Sequence, residues 1–320
     1  MEAPRIGIIG ARRPRQGLGA FIAGFLRECG ATVPAFIGTS NETIAEMTQN
    51  LKAAYGIEAT GYTGFEAMLA EEKLDSLVIA SPHQTHLDYL EKALAAGLHV
   101  LCEKPLVWNC DNPAAKTEEI VRGFQDRKLL LMENTQWPCT LETFRKLFPN
   151  AYGEDLPVTE FRMTLAPVSQ GAAMILDAMS HVFSMLQELC PGRYRRLENI
   201  QIRVDDSGSE NLVICFQYPS VTAVAVRVNL VHVPEPPRPA GYSINEHRAR
   251  REINMEDYSM VLRDKGRAEP LPDPLKILVN RFYMQLINAL SGAAPAPDIG
   301  ITDRMYLLQQ LFEHYENHRA

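Results

Sequence analysis

From residue 5 to about residue 138 the chain alternates short apolar runs with helix-like stretches, and few folds accommodate that rhythm. RIGIIG (5–10), TVPAFIG (32–38), DSLVIAS (75–81), LHVLCEKP (98–105) and LLLMENTQWP (129–138) read as buried strands. Between them, residues 18–30, 42–56, 64–74, 84–97 and 113–128 carry apolar residues at helical spacing, and Gly30 and Gly56 supply helix stops. A strand–helix–strand alternation of this kind predicts a parallel sheet with crossover helices, a doubly wound α/β unit. Beyond it the grammar changes. Residues 156–165, 198–206, 210–219, 222–233 and 257–264 read as strands with few helices between them, so the second half is an α+β unit on a mainly antiparallel sheet. Three helices stand out there, at 173–189, 273–292 and from Thr302 to about Glu316, while the proline-rich and then basic stretch 233–252 reads as a loop. The division expected is therefore 1–135 for a doubly wound, Rossmann-like domain and 136–320 for an α+β domain on a mainly antiparallel sheet.

Composition narrows the class. Hydrophobic residues make up 46% and charged residues 22%, an ordinary globular balance, and the net charge of −7 argues against a nucleic-acid partner. No apolar run approaches the roughly 18 residues a membrane helix needs, and MEAPRIGIIG lacks a signal-peptide layout. The six cysteines are scattered without a C-x-x-C pair, so neither a metal site nor a disulfide framework is expected, and a reducing cytoplasmic setting is.

The stretch GARRPRQGLGA (10–20) sits at the first strand-to-helix turn, where helix N–H groups and a positive dipole end face phosphate. Its fingerprint is interrupted. Taking Gly10 as the first glycine makes Gly17 the second and Ala20 the third, with five residues inserted. Gly10, Ala11, Arg12, Arg13, Gly17, Leu18 and Gly19 are the cofactor-binding candidates of this loop; a solvated basic turn is the other reading. The second strand runs into GTSNE (38–42), with no carboxylate at Gly38 or Thr39 to accept ribose hydroxyls. Thr39 and Ser40 can instead donate to a 2′-phosphate, and Arg12, Arg13 and Arg15 can supply charge or merely solvate the insertion. NADP is the cofactor this pattern favours, with NAD kept open.

SPHQTHLDYLEKALAAGLHVLCEKP (81–105) is the most specific segment. Ser81, Pro82, His86, Ala96, Gly97, His99, Val100, Glu103, Lys104 and Pro105 resemble the pattern of the oxidoreductase family of glucose–fructose oxidoreductase, inositol dehydrogenase and the MocA proteins (Gfo/Idh/MocA). The strand-rich second half and the late helix are similar as well. The resemblance implies that Lys104 hydrogen-bonds the reacting oxygen beside the nicotinamide, with Glu103 and Pro105 fixing its direction and Ser81, Pro82 and His86 near the cofactor.

GAAMILDAMSH (171–181) places Asp177 and His181 at i and i+4, about 6 Å apart along one helix face and among apolar neighbours. The family's motif is similar. There the histidine is general acid/base, which suits an imidazole of ordinary pKa near ~6.5, and the aspartate orients it or binds the sugar. Glycine usually stands midway between the two, where this chain has Met179. Gln136 and Trp137 fall at the family's substrate-facing junction, and Trp137 is either a sugar-covering aromatic or core. The remaining histidines form no metal constellation. The expectation is an NAD(P)-dependent oxidoreductase acting on a carbinol or carbonyl carbon of a sugar, cyclitol or related small molecule. By resemblance it pairs through its open sheet into a homodimer or homotetramer. The rival from another class is a non-catalytic dinucleotide-binding sensor. A short-chain dehydrogenase is disfavoured because no Y-x-x-x-K is found.

Overall fold

The computed structural model describes residues 2–11, 17–204, 211–296 and 298–319. The chain divides into two compact units, Met1–Asn134 with Leu275–Ile301, and Thr135–Pro274 with Thr302–Ala320.

The first unit runs β1 (Arg5–Ile9), α1 (Gly19–Cys29), β2 (Thr32–Ile37), α2 (Asn41–Tyr55), β3 (Thr60–Tyr62), α3 (Phe65–Glu71), β4 (Ser76–Ile79), α4 (His86–Ala96), β5 (His99–Cys102), α5 (Pro113–Asp126) and β6 (Leu131–Glu133). Its sheet has the order β3-β2-β1-β4-β5-β6, all parallel, the doubly wound arrangement the alternation predicts. Helices cover its faces, so β4 and β5 are buried at every position and read as unbroken apolar runs. Leu90 and Ala93 of α4 and Ile120, Val121 and Phe124 of α5 close one core with Ile79, Val100 and Cys102. Pro34 stands inside β2, where a sheet needs every amide. The β1–β2 register shifts there, Ile6 of β1 facing Val33 and Pro34 of β2, and the irregularity accommodates the proline.

The second unit holds α6 (Leu141–Leu147), β7 (Glu160–Leu165), α7 (Ala172–Leu189), β8 (Glu198–Val204), β9 (Leu212–Tyr218), β10 (Val224–Leu230), β11 (Ala240–Ile244), β12 (His247–Ile253), β13 (Met260–Asp264) and β14 (Arg267–Leu271). The strands form one sheet of order β14-β13-β12-β11-β7-β10-β9-β8, antiparallel except where β7 meets β10. Alternate residues of β9 and β10 (Leu212, Ile214, Phe216, Tyr218; Val224, Val226, Val228, Leu230) are buried, and α7 packs on this face through Phe183 and Phe216. The opposite face carries Arg162, Gln217, Ala225 and Arg227, all exposed.

Two features depart from the sequence reading. The segment 233–252, read as a loop, contains β11 and most of β12. β11 is buried at all five positions and so lacks alternation, while β12 (HRARREI) fully buries Ala249 alone. Their two-residue turn begins at Asn245, in the left-handed region at φ 52°, whose side chain accepts the Thr159 amide at 2.9 Å. The other departure is α8 (Pro274–Leu290), which belongs to the first unit from Leu275 onward although the sequence division ran 136–320 together. There Asn280 accepts the Cys29 thiol of α1 and Lys276 pairs with Glu28. The last helix, α9 (Ile299–Arg319), is anchored from Thr302 on in the second unit, where buried Asp303 accepts the guanidinium of Arg195 at 2.6 Å.

His99 ties β5 to the edge of the sheet: its Nδ1 accepts the Leu130 amide at 2.8 Å and must stay unprotonated to do so. Burial pushes its pKa below the ordinary 6.5, with Asp75 opposing. Above 6.5 both folded and unfolded chains are neutral here and the contribution is complete. Between 6.5 and the lower folded value the unfolded chain takes a proton that the folded chain refuses, so stability falls with pH. Urea midpoints measured above and below that value are expected to fall less in His99→Asn, whose amide oxygen still accepts a hydrogen bond without titrating. An unchanged pH slope would contradict this role.

Candidate active site

The first strand–helix turn is built on contact between backbones. Gly10 follows β1 at φ +87°, and a Cβ there would lie 2.5 Å from the Ala80 carbonyl carbon and the Ser81 nitrogen at the end of β4. A Cβ on Gly19 would lie 2.5 Å from the Gly10 oxygen, so the start of α1 rests directly on the end of β1. Close approach therefore falls to Gly19, two residues beyond the Gly17 of the sequence alignment. Leu18, the N-cap residue, brings no side-chain cap, and the first turn of α1 has no acidic residue to compete for its N–H groups. Ala11 is buried, and Gly17 and Leu18 are half-buried. Arg12 and Arg13, with Arg15, lie outside the described residues. Gly10 and Gly19, both without room for a side chain beside a helix N-terminus, fit the close approach of a dinucleotide's pyrophosphate.

At the end of β2, Thr39 is exposed, whereas Ser40 is engaged. The Ser40 hydroxyl accepts the Thr43 amide at 3.3 Å, and the Thr43 hydroxyl accepts the Ser40 amide at 2.9 Å, a reciprocal cap on α2. The same Ser40 hydroxyl, by hydrogen bonding, holds the Glu42 carboxyl below the usual carboxylate range. Of the two hydroxyls expected to meet a 2′-phosphate, Thr39 is the one not built into a helix cap.

Lys104 projects from a turn held at several points. The Glu103 amide donates to Ile79 O at 2.8 Å, and the Leu106 amide donates to the buried Glu133 Oε1 at 3.0 Å. Asn134 Nδ2 donates to Glu103 Oε1, and the Asn134 amide donates to Cys102 O at 2.8 Å. Burial pushes the Glu103 carboxyl up from its ordinary value; Lys104 and then Asn134 pull it back, and Glu133 adds to the rise. The Lys104–Pro105 peptide is cis. Lys104 itself is half-buried.

The SPHQTH segment becomes a turn in which the Ser81 and Thr85 hydroxyls lie 2.7 Å apart and Thr85 donates to Pro82 O at 2.9 Å. Pro82 is exposed. His86 is fully buried, its ring nitrogens at Ser81 O and Pro105 O, so it reaches any cofactor through those turns rather than by touching it.

In the second unit, α7 is buried along most of its length. Asp177 and His181 are half-exposed breaks in its middle, one helical turn apart. Ser169, from the segment after β7, donates its hydroxyl to Asp177 Oδ2. Met179 is 0% exposed: two residues from Asp177 it points to the far side of the helix, away from the Asp177–His181 face. Gln136 is half-exposed at the start of a short helical turn, Trp137–Thr140. Trp137 is buried, edge-on to Tyr242 at 6.2 Å, with the Arg251 guanidinium 4.7 Å over its ring. Of the two readings, sugar-covering aromatic or core, the burial of Trp137 agrees with core.

Sequence reasoning named neither Ser169, Glu133, Asn134 nor Arg251 as site residues. Glu133 and Asn134 stand in the quoted ENTQWP run, and their polarity inside an apolar strand end was the available signal. Ser169 stands eight residues before Asp177 in the segment ahead of the helix, and Arg251 meets Trp137 across a long chain separation; neither gave a signal.

A parallel nucleotide-binding sheet carrying a lysine at its C-terminal edge, joined in one chain to a sheet-rich unit with an Asp–His helix, defines the class. Residues 5–135 match the family described as "Oxidoreductase family, NAD-binding Rossmann fold" (GFO_IDH_MocA). Among curated proteins, D-xylose 1-dehydrogenase (NADP(+)) 2 of Haloferax volcanii is 34% identical over 90 residues, 27% of this chain and 28% of that one. The match thus spans under a third of that relative. Among solved structures, UDP-N-acetylglucosamine 3-dehydrogenase GnnA from Acidithiobacillus ferrooxidans aligns over 98% of both chains with a TM-score of 0.67 at 18% identity. KijD10, a 3-ketoreductase from Actinomadura kijaniata in complex with NADP, aligns over 96% of both with a TM-score of 0.65 at 19% identity. At these identities the likeness is one of fold.

Replacing Gly10 by alanine demands both a left-handed φ and space taken by the Ala80–Ser81 peptide. A loss of about 1–3 kcal/mol is expected in denaturant unfolding. A midpoint equal to the parent's would show that the two strand ends do not need this approach.

Proposed function

We propose that the protein is an NAD(P)-dependent oxidoreductase, NADP-preferring, acting on a carbinol or carbonyl carbon of a sugar, cyclitol or related compound. The observation that carries this reading is Lys104, held on a braced turn at the C-terminal edge of the sheet that also bears the Gly10–Gly19 cradle. The substrate class is drawn from the relatives named above.

The nicotinamide, when bound, supplies the hydride acceptor or donor. Lys104 Nζ donates a hydrogen bond to the reacting oxygen and stabilises the negative charge that develops there. In the oxidising direction His181 takes the hydroxyl proton as the carbonyl forms, and in the reducing direction it returns it. Asp177, anchored by Ser169, fixes the geometry on the same helix face. NADP preference rests on the exposed Thr39 and on the loop arginines. The fully buried Met179 lies on the far side of the helix from the Asp177–His181 face, which supports the catalytic reading over a non-catalytic sensor.

The open face of the eight-stranded sheet is the proposed homodimer or homotetramer surface. A cytoplasmic setting is proposed from the six cysteines, all free thiols. Among the described residues no helix is long and apolar enough to cross a membrane, and no group of three or more candidate metal ligands is found.

Steady-state assays of NADP(H) and NAD(H) against a sugar and polyol panel test the chemistry. Lys104→Ala and His181→Ala are each expected to lower kcat by about 10²–10⁴. Turnover that survives both substitutions refutes the mechanism.

Cofactor choice has its own test in the loop. Arg12→Ala and Arg13→Ala are expected to raise the KM for NADP by about tenfold and that for NAD far less, as loss of a charge-assisted contact to phosphate requires. Equal losses for both cofactors would make these residues a basic turn.

A further inference from the structure

The ring of His86, the first residue of α4, is 0% exposed and lies between two carbonyl groups. Nε2 is 2.8 Å from Ser81 O, and Nδ1 is 2.9 Å from Pro105 O. Ser81 is the residue whose nitrogen Gly10 packs against, and Pro105 follows Lys104 directly. One imidazole therefore spans the support of the phosphate loop and the turn that carries the lysine. We propose that His86 is a positioning residue that couples the two, one ring nitrogen holding the cofactor-side turn and the other the Lys104 turn. The inference rests on Lys104 serving the reacting oxygen.

A carbonyl oxygen only accepts, so each contact is favourable only when that ring nitrogen carries hydrogen. The imidazolium holds both turns at once. A neutral ring holds one and presents a lone pair to the other. The charged groups acting on the ring are His83, from the turn before α4, and Lys104, from the turn after β5. Burial foremost pushes the pKa of His86 below its ordinary value; the Pro105 and Ser81 carbonyls oppose it, and His83 and Lys104 add smaller downward shifts. The second link is thus present in acid and lost as pH rises, so the brace on one turn depends on pH.

Asparagine and glutamine separate the two links, because an asparagine amide nitrogen falls near Nδ1 and a glutamine amide nitrogen near Nε2. In acid, where the parent ring is charged and holds both turns, His86→Asn keeps the Pro105 link and loses Ser81, so its principal defect is expected in NADPH affinity, weakened about tenfold by fluorescence titration. His86→Gln keeps Ser81 and loses Pro105. Its principal defect is expected in kcat, lowered about tenfold, with NADPH affinity little changed. Hydrogen exchange of the cofactor-free protein, corrected for intrinsic rates, supplies a readout without turnover. In the parent, peptides covering 79–86 or 103–107 are expected to lose protection as pH rises through the lowered pKa of His86, below its ordinary value, a dependence both variants abolish. Variants that lose affinity and kcat together, in proportion to a lowered Tm, would make His86 a packing residue and overturn the coupling. So would variants that keep the parent's pH-dependent exchange. If Lys104→Ala left turnover intact, the catalytic reading would fail by itself, while exchange and NADPH titration would still decide whether the ring links the two turns.

Discussion

Where the main chain of Gly10 meets the Ala80–Ser81 peptide, there is no room for a side chain, and most of the candidate site in the first unit is built outward from that contact. The Ala80 amide donates to Ile9 O at 2.8 Å, which continues the β1–β4 ladder up to the contact. On one side the Gly10 oxygen supports the first residue of α1, so the helix N-terminus stands close over the strand ends. On the other side the Ser81 carbonyl meets His86, and through its ring the Pro105 carbonyl. Phosphate cradle and lysine turn are consequently parts of one hydrogen-bonded edge. Such an edge suits chemistry in which a small displacement of a reacting group is costly.

Charge at that edge is arranged in layers. Glu133 is almost completely buried and uses Oε1 to hold the Leu106 amide, a backbone group that leaves the sheet just where the strand ends. Glu103 lies one layer further out, between Asn134 and Lys104. Burial works against its ionised form, whereas the lysine charge and the Asn134 donor favour it. Removing the lysine charge would leave two carboxyl groups facing one another in a poorly solvated place. Lys104 is therefore favoured at this position by the fold as well as by any reaction, which explains why so polar a run can end a strand whose four residues are all buried.

The parallel sheet was legible because its strands are short, apolar and separated by helices of strong periodicity. Gly30 and Gly56 marked helix ends correctly, since both adopt left-handed φ there. E-K-P was legible as a strand-end motif, and the Asp177–His181 spacing as a shared helix face. What escaped was structure held by partners distant in sequence. β3 has three residues and takes its place from β2; β11 and β12 pair around Asn245 with little hydrophobic pattern of their own. The assignment of α8 to the first unit depends on contacts with α1 more than 240 residues earlier, for which local pattern holds no signal. Trp137 shows the same limit in a side chain: its identity suited sugar covering and core alike, and its burial, beneath a β12 arginine, agrees with core.

The Asp–His helix poses a different question, because α7 is otherwise close to a core helix. Ile175, Ala178, Met179, Val182 and Phe183 are nearly or fully buried, and a helix so enclosed gains little from polar side chains in its middle. Aspartate at 177 and histidine at 181 break the burial on a single stripe, and Ser169 is brought from outside the helix to satisfy one carboxylate oxygen. A surface pair exchanged for solubility would need no such anchor. A pair kept for packing would have been replaced by apolar residues at little cost, since its neighbours on the helix are already apolar. The polar stripe of α7 therefore stands against the burial of its neighbours, and the proposed proton transfer at His181 draws on that stripe.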